Sequence, residues 1–305
     1  MIRKKIKRFF ANIFSSIALS ACSLIIRNIS QKGLYSFSEK LGITAYRLLA
    51  RHRKVAFDGL NHAFGKNKTP EEIKRIARDC FIYMAKSCAE LAFALGRPAF
   101  IRLSSVIDGK EHLDQALAKG KGVILVSGHF GNFVLMLAKL SVDGYKTSVI
   151  MRPLKNQQIE RLFGPDRDKL DINTINSIPR TACVANTIKA LRENRLLLIP
   201  LDQNFGTSGV YVDFFGRKAA TATGPVVLAQ RTGAAILPCF IIRQKDDTHR
   251  IVFEPALELV KGKDEAETIV NNIQRITNII ESYIRRYPQE WSWIHRRWKS
   301  RPKEN

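Results

Sequence analysis

Three side chains have the types from which an acid–base and anion-binding site is made, and each follows a run of apolar residues. His129 stands in Ser127-Gly128-His129-Phe130-Gly131-Asn132, straight after Val123-Ile124-Leu125-Val126. Arg152 follows Thr147–Ile150, in Met151-Arg152-Pro153-Leu154-Lys155-Asn156. Asp202 follows Leu196–Pro200, in Leu201-Asp202-Gln203-Asn204. A histidine in such a turn can act as a base, a guanidinium can grip phosphate or carboxylate, and a carboxylate can support the histidine. Gly128 and Gly131 let backbone amides come close to a substrate oxygen. The free amides of a helix starting after Asn132 add positive potential, which is expected to keep the imidazole neutral.

These residues belong on one edge if the apolar runs are buried strands of one parallel sheet, because ligands sit outside the carboxyl ends of such strands. Val123–Val126, Thr147–Ile150, Leu196–Pro200 and Ala235–Ile241 read as strands. Helical patterns lie between and after them, at 133–142, 155–163, 182–193, 224–231 and 264–286. The alternation predicts an α/β fold with a mixed, mostly parallel sheet flanked by helices. The first hundred residues differ. Residues 31–64 carry helical spacing, with Leu34, Phe37, Leu41, Ala45, Leu48 and Leu49 expected on one side, followed by the basic cluster Arg47, Arg51, His52, Arg53 and Lys54. Thr69-Pro70-Glu71-Glu72 reads as a capping box that opens a helix running towards Leu95. The expected organisation is an anchor at 1–27, a helical extension at 28–100 and an α/β domain at 101–305.

The chain has 305 residues, with 50 Lys+Arg against 27 Asp+Glu, a formal net charge of +23. Such a field draws anionic partners: nucleic acid, an anionic membrane face, or an acidic protein or lipid. Arg3, Lys4, Lys5, Lys7 and Arg8 precede an apolar run from Phe9 to Ile26. Leu19-Ser20-Ala21-Cys22 has the shape of a lipobox, but the apolar run continues past Cys22. An uncleaved anchor with its basic end in the cytoplasm is therefore expected, spanning the membrane or lying at its interface. This anchor, and the lack of interleaved aromatic and basic strand residues, argue against a nucleic-acid binder. Five cysteines show neither a CxxC pair nor zinc spacing and are expected as free thiols, mostly buried. All three tryptophans fall in 291–298 among arginines, a mixture that suits a membrane interface or a packed terminal cap.

The ordered set Gly128-His129-Phe130-Gly131-Asn132-Phe133, Arg152-Pro153-Leu154-Lys155-Asn156, Asp202-Gln203-Asn204, Val212-Asp213-Phe214-Phe215-Gly216, Thr223-Gly224-Pro225 and Pro288-Gln289-Glu290-Trp291, with Trp293, resembles the late lipid A acyltransferases. These are the lauroyl and myristoyl transferases of the HtrB type, within the lysophospholipid acyltransferase superfamily, and the resemblance covers nearly the whole chain. It implies transfer of a fatty acyl chain from an acyl carrier protein thioester, or from coenzyme A, to a hydroxyl of a lipid A precursor. The expected location is the cytoplasmic face of the inner membrane, and no metal or cofactor is expected. His129 is then the base and Asp202 its acid, with substrate contacts from Arg152, Lys155, Gly131, Asn132 and Gln203. One position departs from the family pattern of a histidine, four residues, then an acid: here the acid's place is held by Val134. Asp202 is the expected substitute. Other acceptors, another glycolipid or a lysolipid, and a degenerate lipid-binding relative stay open at this point.

Overall fold

The computed structural model describes residues 25–26, 28–153 and 157–302. Lys155 and all but the last two residues of the Phe9–Ile26 run lie outside them. Among the described residues, no helix is long and apolar enough to cross a membrane.

The chain opens with three helices, α1 (Gln31–Leu48), α2 (Ala50–Phe64) and α3 (Pro70–Ala94), then a short α4 (Pro98–Leu103). Both halves of the Thr69–Glu72 capping box form. The stretch 31–64, read as one helical pattern, is broken at Leu49, whose backbone leaves the helical region. The chain turns outward there, so Leu48 and Leu49 are 74% and 46% exposed rather than packed with Leu34. Leu41, at 40%, is exposed as well.

The α/β part runs β1 (Ser105–Asp108), α5 (Lys110–Leu117), β2 (Val123–Ser127), α6 (Phe133–Val142), β3 (Thr147–Met151), α7 (Gln157–Lys169), β4 (Ile172–Asn176), α8 (Arg180–Arg192) and β5 (Leu196–Pro200). A separate hairpin follows, β6 (Val210–Phe214) with β7 (Arg217–Thr221), then α9 (Gly224–Thr232), β8 (Ala235–Arg243), β9 (His249–Phe253) and α10 (Glu265–Arg286). Seven strands make one sheet in the order β1-β9-β8-β2-β5-β3-β4, and every pairing is parallel except β8 with β9. Strands β1, β4 and β9 and the hairpin are additions to the sequence-based reading.

Side-chain alternation explains why β2 is apolar from Val123 to Val126. Ile124 and Val126 enter one core, with Leu197, Ile236 and Phe240. Val123 and Leu125 enter the opposite one, with Leu196, Leu198, Leu237 and Cys239. A strand covered on both faces cannot show a polar face. The first core also takes Ala56, Leu60 and Phe64 of α2, Ile73, Ile76, Ala77, Cys80 and Phe81 of α3, and Ile273, Ile276, Ile280 and Ile284 of α10. The segment expected as an extension at 28–100 thus shares its core with the sheet. Trp291 and Trp293 are 1% and 0% exposed in the same core, so they form the packed cap. Cys80 and Cys239 are buried, whereas Cys88 is exposed and Cys183 half-buried.

Candidate active site

The register of two neighbouring strands builds the centre. Strands β2 and β5 are parallel neighbours with Ser127 opposite Pro200, and the Leu201 amide donates to the Ser127 carbonyl at 2.9 Å. His129 and Asp202 each stand two residues further on, so the two chains leave the sheet side by side. The His129 ring Nδ1 lies 2.8 Å from Asp202 Oδ1, and the His129 amide donates to Asp202 Oδ2, also at 2.8 Å. Trp291 Nε1 donates to the same Oδ2 at 2.6 Å. A buried carboxylate is tolerated only when its oxygens are satisfied. Asp202, 3% exposed, is satisfied by three donors.

The electrostatics follow from that contact. Burial works against the charged forms of both groups, but each is outweighed by the other. The Asp202 charge and hydrogen bond hold the His129 pKa above the ordinary histidine value. The His129 ring, with hydrogen bonds from Trp291 and the His129 amide, holds Asp202 below the ordinary carboxylate value. This corrects the expectation that the start of α6 keeps the imidazole neutral: a carboxylate in contact outweighs a helix terminus worth a fraction of a charge. The His129 side chain is 28% exposed, and among the described residues nothing hydrogen-bonds its Nε2. With Nδ1–H on Asp202, Nε2 is left as a proton acceptor.

The glycines act differently from expectation. The Gly131 amide donates to the Glu290 carbonyl at 2.9 Å, and the His129 amide is already on Asp202, so neither is free for a substrate oxyanion. Gly131 has φ +56°, and a Cβ there would stand 2.1 Å from the Ile241 carbonyl oxygen. Its role is to let the turn press against β8. At Gly128 a Cβ would lie 3.4 Å from the Asp202 carboxyl, an ordinary packing distance.

Asn132 is turned inward, 3% exposed, rather than towards substrate. Its Oδ1 caps α6 by accepting from the Leu135 amide, and its Nδ2 donates to Glu90 Oε2 at 2.8 Å. Glu90, fully buried on α3, also takes a two-pronged grip from Arg243 of β8, at 2.5 and 2.8 Å. Arg152 is exposed one residue beyond β3, on the same sheet edge as His129 and Asp202. Gln203 is exposed, and its carbonyl accepts from Arg297 Nη1 at 3.0 Å. Val134, at the second position of α6, is 42% exposed. Glu90, Arg243 and Glu290 were missed from the sequence. Their signal was faint: Glu90 is a single charge in an apolar stretch, Arg243 stands at the end of one, and Glu290 falls within Pro288–Trp291, a motif that by itself assigns it no role.

Fold and site together define an α/β enzyme with a histidine–carboxylate pair at the carboxyl end of its sheet. The sequence places it more closely. Residues 3–300 match the bacterial lipid A biosynthesis acyltransferase family, and the chain belongs to it; it is an acyltransferase. It is 28% identical over 275 residues to a lipid A biosynthesis lauroyltransferase of Escherichia coli, covering 88% of this chain and 86% of that one. It is 28% identical over 273 residues to a palmitoleoyltransferase of the same pathway and organism, covering 86% and 84%. A phosphatidylinositol mannoside acyltransferase of Mycobacterium tuberculosis is 30% identical over 199 residues, covering 65% and 61%.

Proposed function

We propose that this protein moves a fatty acyl chain from an acyl carrier protein thioester to a hydroxyl of a lipid A precursor, at the cytoplasmic face of the inner membrane, with His129 as general base. The single observation that carries the mechanism is the 2.8 Å contact of Asp202 with the His129 ring Nδ1, with Nε2 unpartnered among the described residues. Nε2 takes the proton of the acceptor hydroxyl while that oxygen attacks the thioester carbon. The carbon–sulfur bond then breaks, and the thiolate leaves with the proton held by the imidazolium. Asp202 fixes the tautomer and offsets the charge that develops on the ring, as the carboxylate of a catalytic triad does. Arg152, exposed at the same edge, is suited to the phosphate of the acceptor. The +23 charge favours an acidic carrier protein and an anionic leaflet. The basic residues before Phe9–Ile26 favour an anchor with a cytoplasmic basic end.

The likeness to a phosphatidylinositol mannoside acyltransferase supports a second reading for the acceptor, another phosphorylated glycolipid. The test is transfer by the purified protein from acyl carrier protein and coenzyme A thioesters, with mass spectrometry of lipid A from cells with and without the gene. His129→Ala should lower turnover about 10²- to 10⁴-fold while the protein stays folded, as its circular dichroism would show. Undiminished turnover in His129→Ala would remove the base, and unchanged lipid A on loss of the gene would remove the acceptor.

A further inference from the structure

A groove of about 400 Å³ opens beside the site, and its charged lining is all of one sign. Arg51 and His52 of α2 line it together with Arg296 and Lys299 of the C-terminal segment, and Asn204 and His295 line it as well. Arg51, Arg296 and Lys299 are exposed, and among the described residues none of the three has a recorded ion pair or side-chain hydrogen bond. Lys54, one turn along α2, shows the contrast: it is paired with Asp58 at 3.3 Å. Cations gathered without an anion repel one another, and a bound anion turns that repulsion into attraction. Guanidinium groups match phosphate oxygens two at a time, and an ammonium adds a point charge.

The groove is wired to the reacting pair. Asn204 lies two residues beyond Asp202, and its amide donates to His295 Nε2 at 3.2 Å. The His295 amide donates to the Ser292 carbonyl, and the Ser292 amide to the His129 carbonyl, both at 3.2 Å. Burial lowers the His295 pKa, which agrees with its ring accepting a hydrogen bond. One segment therefore forms a wall of the groove and holds the backbone of the histidine. A volume of this size admits a phosphate together with part of the molecule that carries it.

We infer that the groove of Arg51, Arg296 and Lys299 is a phosphate subsite for a substrate of the enzyme, separate from Arg152. It deepens the acyl-transfer reading and rests on it for the identity of the substrate. Two substrates carry the chemistry: a phosphorylated glycolipid acceptor, through its head group, and a carrier-protein donor, through its phosphopantetheine diester.

The double variant Arg51→Glu/Lys299→Glu tests it in the full-length protein in detergent. Lys119→Glu, an exposed charge reversal on the loop after α5, serves as control. Inorganic pyrophosphate at millimolar concentration should raise the melting temperature of the wild type and of Lys119→Glu but not of the double variant. An equal rise in the double variant overturns the inference whatever the enzyme acylates. In turnover, a rise of about tenfold or more in KM for the phosphorylated acceptor assigns the groove to the acceptor. The same rise confined to the carrier-protein donor assigns it to the donor. If neither KM moves, the subsite is overturned. If the wild type transfers no acyl group from any donor, the acyl-transfer reading fails alone, and the pyrophosphate result still decides whether the groove holds phosphate. Should the double variant not fold, Arg296→Ala carries the same measurements, since the Arg296 side chain is exposed.

Discussion

Asp202 is the residue on which the site's electrostatics turn. Its charge lifts the His129 pKa, so the neutral base is lost as pH falls through a value above that of an ordinary histidine. Asp202→Asn removes that charge and leaves burial, which lowers the pKa. Turnover should fall about 10²- to 10⁴-fold, and the acid limb of the rate profile should move to lower pH. A limb that stays in place in Asp202→Asn would show that the carboxylate does not tune the ring. Val134→Glu should add little, because the Asp202 carboxylate already occupies Nδ1. At this scale much was legible: His129, Arg152 and Asp202 each follow an apolar run, and the end of a buried strand is where a polar side chain needs a reason to be. The donor on Asp202 was not legible, because Trp291 comes 89 residues later and nothing local ties the two.

At the scale of elements, helix α6 is held at its amino-terminal end. Asn132 caps it and also ties it to Glu90 on α3. Burial pushes the Glu90 pKa up, but the hydrogen bond and charge of Arg243, with His249 and Asn132, bring it below the ordinary range, so Glu90 is charged. Asn132→Asp keeps an acceptor for the Leu135 amide, and aspartate is as good a cap as asparagine. It also removes the donor to Glu90 and sets two buried carboxylates against each other. The variant should lose about 2–4 kcal/mol of stability in chemical denaturation; wild-type stability would show that the Glu90 contact does not hold the turn. The central strands were legible because they are buried along most of their length, as the continuous apolar run of β2 shows. The short edge strands β1 and β4, and β9 beside β1, mix buried and exposed residues, and burial along the hairpin does not alternate cleanly, so composition alone did not separate them from loops.

The whole molecule closes on residues 288–298. Glu290 lies within this cap, its carbonyl taking the Gly131 amide and its Oε1 the Arg243 amide at 2.9 Å. Burial raises its pKa to about 8, so the folded protein holds this proton far more tightly than the unfolded chain does. The stability it contributes is complete below the ordinary carboxyl pKa and is lost as pH rises through about 8. Melting temperature should therefore fall between about pH 5 and pH 9 by more in the wild type than in Glu290→Gln, which has no proton to lose. Equal slopes would show Glu290 to be ionised in the folded state. The same closure has a temporal side. The catalytic turn is synthesised well before the tryptophan and the carbonyl that complete it. At roughly 5–20 residues per second, the interval is on the order of ten to thirty seconds. Asp202 is made part-way through that time, and from then on the nascent chain carries both members of the pair with no Trp291 to hold the acid and no Glu290 to hold the turn. Competence would then arrive late in translation, after the core strands and the amino-terminal helices have left the ribosome.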